Sequence, residues 1–106
     1  MITDARAEGA FEYLRDTSDA IGEAKGELER SEILRKRVRK RHFLAADSKL
    51  SVAVREAMAE VHNETEAADE RYVDAMAAFE TLRAKRDLET IALDVWRTES
   101  ANRRRG

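Results

Sequence analysis

Apolar positions in the first half of the chain recur at helical spacing. Ala7, Phe11, Leu14, Ile21 and Leu28 stand three, four or seven residues apart, and after a phase shift near Ser31 the stripe continues through Leu34, Val38 and Ala45. This is one face of one helix. Thr3 followed by Asp4 starts it, with a hydroxyl to cap the first turn and a carboxylate at the positive end of the dipole. Gly22 and Gly26 each cost about 0.8 to 1.0 kcal/mol relative to alanine inside a helix. Asp16-Thr17-Ser18-Asp19 offers a break. Ile21 and Leu28 nevertheless stay in phase with Leu14, and two glycines four residues apart also admit close approach of a neighbouring helix. The spacing therefore predicts one helix over about 3–46.

Asp47-Ser48-Lys49-Leu50-Ser51 is the best turn, with Ser51 placed to cap a short helix over 51–62. Asn63-Glu64-Thr65-Glu66 marks a second boundary, where either Asn63 or Thr65 serves as cap and Glu64, Glu66, Asp69 and Glu70 crowd the first turns. A third helix follows over 65–101, with 102–106 as a frayed tail. Val73, Ala77, Ala84, Leu88, Ile91 and Val95 form its apolar stripe, widened by Tyr72, Met76, Phe79 and Leu82. Together these elements predict a single all-α domain over 1–106: an elongated antiparallel hairpin of two long helices with a short middle helix.

Composition agrees. There is no proline, and there are four glycines and six aromatic residues in 106 positions, a helical rather than a sheet-forming mixture. With 42% hydrophobic residues rich in alanine, the core is expected to be thin. The absence of cysteine removes disulfides, thiol nucleophiles and thiolate metal sites, and it suits a reducing cytoplasm. No apolar run approaches the roughly 20 residues that span a bilayer, so no membrane partner is expected.

Charge changes the picture most. The net charge is -2, yet Arg35, Lys36, Arg37, Arg39, Lys40 and Arg41 put six cations into seven positions, and no carboxylate occurs from Ile33 to Ala46. A second cluster, Arg97, Arg103, Arg104 and Arg105, follows Trp96. Folding the hairpin sets the basic 35–42 segment beside the acidic 64–74 segment, so intramolecular pairing explains part of the pattern. The remainder suggests binding to phosphates, each neutralised phosphate releasing a counterion. Phe43 and Trp96 would supply stacking surfaces worth about 1 to 3 kcal/mol per unstacked base, which favours single-stranded DNA over duplex. Burial competes for both rings, Phe43 in the hairpin core and Trp96 on Phe11. The candidate nucleic-acid-binding residues are thus Arg35, Lys36, Arg37, Arg39, Lys40, Arg41, Phe43, Trp96, Arg97 and Arg103. No catalytic residue, cofactor or metal is expected. His62 with Glu66 has ligand spacing but lacks a matching third group, and no phosphate-binding glycine loop or nucleophile elbow occurs.

Tyr13-Leu14 with spaced alanines and Ala24-Lys25, then Val95-Trp96-Arg97-Thr98-Glu99-Ser100-Ala101-Asn102-Arg103-Arg104, resemble small all-helical phage and prophage proteins. The chain is also similar to the anti-CRISPR proteins that act on type I-E systems. The resemblance implies a non-enzymatic inhibitor that occludes the surveillance complex, its recruited nuclease or the target DNA; a cytoplasmic protein of the bacterial host, monomer or weak homodimer, is expected. It would occlude DNA, blocking nuclease recruitment, or dock on a type I-E CRISPR effector or recombination protein through acidic and apolar helix faces. It assigns no site residue.

Overall fold

The computed structural model describes residues 1–105. Four helices make up the chain: α1 (Asp4–Asp16), α2 (Ser18–Ala45), α3 (Val52–Val61) and α4 (Asn63–Arg105), with no strand among the described residues. The all-α class is as expected. The chain forms two compact units, a terminal one of Met1–Glu23 with Phe79–Gly106 and a central one of Ala24–Ala78.

Two of the expected caps are present. Thr3 Oγ1 accepts the Arg6 backbone N–H at 3.0 Å, and Ser51 Oγ accepts that of Val54 at 3.2 Å. Asp47 closes the turn before α3, its carbonyl accepting from the Leu50 N–H and its carboxylate from that of Lys49. α4 begins two residues earlier than expected, and neither Asn63 nor Thr65 caps it. The cap is His62, whose Nδ1 accepts the Glu64 N–H at 3.1 Å while its carbonyl accepts that of Glu66. Residues 102–105 continue α4 rather than fraying, and Gly106 lies outside the described residues.

The expected helix over 3–46 is two helices, broken at Thr17. Side chains take over the carbonyls there. The Thr17 hydroxyl donates to the Tyr13 carbonyl at 2.7 Å and the Ser18 hydroxyl to that of Arg15 at 2.9 Å. From α4, Arg86 donates to the Leu14 carbonyl at 2.8 Å and to Thr17 Oγ1. Gly22 does not serve close packing, because a Cβ there would meet nothing within 4 Å; one at Gly26 would meet only the guanidinium of Arg30.

In the terminal unit, α1 runs antiparallel to the last part of α4. Ala7, Ala10 and Leu93 are its buried apolar centre, flanked by Ile2, Leu14 and Trp96. Long-range polar contacts fix the register: Arg6 to Glu89, Trp96 Nε1 to Asp4 at 2.8 Å, and the Ile2 N–H to Glu99 at 3.2 Å. In the central unit, α2 runs antiparallel to the first part of α4, with pairs Arg39 to Asp69 and Arg41 to Glu64. Val38, Ala59, Ala68 and Ala75 are buried there, together with Ser31 and Thr65.

The expected apolar stripe of α4 faces outward. Val73, Leu88 and Ile91 are 57%, 60% and 59% exposed, and Ala77, Ala84 and Val95 are exposed as well. The inward positions include Thr65, Ala68, Tyr72 and Ala75 in the central unit, and Phe79, Leu82, Arg86, Glu89, Leu93, Trp96 and Ser100 in the terminal unit, with Ala92 buried beside Leu93. These follow the three-four spacing of a heptad seam. Small side chains let the neighbouring helix approach, and Arg86 and Glu89 are admitted because each finds a partner on arrival.

Candidate nucleic-acid interface

The ten candidate residues divide between the units. Arg35 to Phe43 belong to the central one and Trp96, Arg97 and Arg103 to the terminal one.

Much of the basic segment is engaged within the protein. Arg39 Nη2 lies 3.0 Å from Asp69 Oδ2, Arg41 Nη2 lies 3.4 Å from Glu64 Oε2, and Lys36 Nζ pairs with Glu32 on its own helix at 3.2 Å. The guanidinium of Arg35 lies 4.2 Å above the Tyr72 ring, a cation–π contact. Arg37 and Lys40 make no ion pair among the described residues, and both are exposed. The pairing of α2 cations with α4 acids is the one the folded-back charge pattern predicts.

Four of the candidates converge. Lys36, Arg39, Lys40 and Phe43 line a groove of about 400 Å³ between α2 and α3, completed by Glu56, Ala59 and Glu60. Helical spacing on α2 brings the four to one face. Arg39 and Phe43 are half-buried. Asp69 anchors Arg39. Phe43 is held by Arg55, whose guanidinium lies 4.3 Å from the ring centroid and donates to the Phe43 carbonyl at 3.4 Å. One ring face is thereby taken.

In the terminal unit Trp96 joins the helix pair, and Arg97 and Arg103 are engaged within α4. Trp96 packs half-buried on the Ala7, Ala10 and Leu93 cluster with its N–H on Asp4; Arg97 pairs with Asp94 at 3.5 Å, and Arg103 donates to Ser100 at 3.1 Å.

The fold also joins residues that local spacing did not connect. His42 stacks on His62, ring centroids 3.6 Å apart and planes 17° from parallel, and His42 Nε2 lies 3.1 Å from Glu64 Oε2. That hydrogen bond from His42 holds the Glu64 carboxyl below its usual range, and the charge of Arg41 assists. The potential ligand atoms of His42, His62 and Glu64 all lie within 4.8 Å of one another. Nearly parallel rings cannot aim both in-plane lone pairs at one ion, and His62 Nδ1 is already accepting, so the trio fits a stacked clasp better than a metal centre. The pairing of His62 with Glu66 read from spacing gives way to this one. Glu56 and Glu60 were missed as groove residues, and Arg55 as the partner of Phe43, because nothing in α3 signals which of its faces meets α2.

No family model matches the sequence, and no curated protein or solved structure is significantly similar to it.

Proposed function

We propose that this chain is a non-enzymatic nucleic-acid-binding protein that holds single-stranded DNA in the groove between α2 and α3. The observation that carries the reading is the convergence of Lys36, Arg39, Lys40 and Phe43 on one groove wall, cations for phosphates beside an aromatic ring for a base. The ion pairs to Asp69 and Glu64 reduce the footprint to about three phosphates, which gives a log-log salt slope near -2 on single strands. The resemblance to type I-E anti-CRISPR proteins gives the reading its setting: a protein on the displaced strand of an R-loop would deny it to the recruited nuclease.

The test is binding of a labelled single-stranded oligonucleotide across a salt series, with duplex as competitor. Lys36→Glu with Lys40→Glu is the variant of choice, since both side chains are exposed, whereas Arg39 also holds Asp69. Salt-dependent binding lost in this variant supports the reading. No binding at low salt sinks it.

A second reading rests on the outer face of α4 in the terminal unit. Thr81, Ala84, Leu88, Ile91, Val95 and Thr98 repeat at alternating three- and four-residue steps, all of them exposed. That is the spacing of a helix-docking seam, and its occupant would be an amphipathic helix of a protein partner, such as a CRISPR effector or recombination protein. Leu88→Glu with Ile91→Glu would abolish such docking and spare DNA binding.

A further inference from the structure

The groove between α2 and α3 has unlike walls. Lys36, Arg39 and Lys40 stand on the α2 side; Glu56 and Glu60, one helical turn apart, stand on the α3 side. Neither Glu56 nor Glu60 forms an ion pair or a side-chain hydrogen bond among the described residues, and neither does Lys40. Opposite charges thus line one cavity without closing on each other. Its volume of about 400 Å³ falls within the range of small-ligand sites. The floor is held in place: Asp69 fixes Arg39, and Arg55 fixes Phe43.

A ligand matched to this arrangement carries a negative charge at one end, a flat ring in the middle and hydrogen-bond donors at the other end. A nucleotide has that layout. Among the bases, guanine alone presents two adjacent donors, N1–H and N2–H, on its Watson–Crick edge. An ionised carboxylate has only acceptors and takes both. Adenine and cytosine offer one amino group each, beside ring acceptors that a carboxylate repels. Thymine offers a single N–H between two carbonyls.

We propose that the groove selects guanine: it holds one guanylate unit with its phosphate on Lys36 and Lys40, its ring against Phe43, and its Watson–Crick edge on Glu56 or Glu60. The inference rests on the nucleic-acid reading above and adds to it a base preference that a purely cationic surface would lack. The carboxylates on α3, which would weaken a simple phosphate site, are the recognition element.

The test compares labelled d(TG)6 with (dT)12 by fluorescence anisotropy at one fixed low salt concentration. The intact chain is expected to bind d(TG)6 about tenfold more tightly, the discrimination of one bidentate contact. Deoxyinosine in place of deoxyguanosine removes the N2 amine and should lose most of the preference. Glu56→Gln with Glu60→Gln is expected to bind (dT)12 at least as well as the parent, because repulsion is lost, while the guanine preference disappears. Both positions are exposed, so the fold tolerates the change.

Unlabelled dGMP identifies the source of the unit. Competition only at far higher concentration than the strand assigns the groove to polynucleotide, and equal competition assigns it to the free nucleotide; either result sustains the guanine site. Equal affinity for the two oligonucleotides overturns it and leaves nucleic-acid binding intact, as does a preference that survives the double glutamine variant. Failure to bind either oligonucleotide overturns both proposals.

Discussion

The terminal and central units are made of the same material, antiparallel α-helix, and hold together differently. In the terminal unit, alanines and Leu93 form a small apolar centre, and the polar groups brought inward are answered: Arg86 by Leu14 and Thr17, Glu89 by Arg6, Trp96 by Asp4. In the central unit, the two fully buried larger side chains are Ser31 and Thr65. Buried polar atoms without a partner there are Arg35 Nε, Arg39 Nε, Arg55 Nε, Thr65 Oγ1 and Asp69 Oδ1. Each such group costs about 1 to 3 kcal/mol when water cannot reach it. The unanswered polar groups thus gather in the central unit, the unit that also carries the groove.

The sharpest way to break this contrast is to empty the apolar centre. Leu93→Ala is expected to lower the unfolding free energy by about 2 to 3 kcal/mol, read from urea denaturation, with amide-exchange protection lost first in the terminal unit. Next in size is Lys36→Glu with Lys40→Glu, which should weaken single-stranded DNA binding by at least about tenfold, the loss of roughly two phosphate contacts, with only a small fall in melting temperature from the lost Lys36–Glu32 pair. Gly22→Ala, with open space where the Cβ would go, should stabilise α2 by about 0.8 to 1.0 kcal/mol in the same denaturation experiment.

Thr65→Val replaces a buried, unpartnered hydroxyl with a methyl of the same shape. It is expected to stabilise the central unit by about 0.5 to 1 kcal/mol, whereas destabilisation would mean that the hydroxyl is answered in solution. Acid should separate the units most gently. Glu27 is held below its usual pKa by hydrogen bonding from Arg71, with the charges of Arg71 and Arg30 assisting, and Glu64 by His42; both lie in the central unit. A depressed carboxyl contributes stability above its unfolded value and loses it as pH falls through the folded one. Below about pH 4.5, exchange should therefore rise in the central unit before the terminal one.

The all-helical class, the Thr3 and Ser51 caps and the pairing of α2 cations with α4 acids were legible in the sequence because each rests on local chemistry or on charge order. The inward face of α4 was not. Hydropathy favours the line through Val73, Leu88 and Ile91, whereas the fold buries the line through Ala75, Arg86 and Leu93. Size and partner availability decide between them, and neither is a property of the residue alone. The break at Thr17 was visible as hydroxyls and acids, but its outcome depended on Arg86, sixty-nine positions away. In the site, the α2 wall could be read from the basic run, and the α3 wall could not, since Glu56 and Glu60 look like any solvated acids until α3 is set against α2.

Arg86 carries one more consequence. By position it resembles any cation along a long helix, yet it ties together the joint between α1 and α2. Lysine keeps the charge but not the fork that serves a carbonyl and a hydroxyl at once. In a screen of single substitutions, an arginine exchanged for lysine would register as a severe loss among tolerant neighbours. An observer ranking positions by such losses would mark it as a ligand contact, when its ligand is the backbone of its own chain.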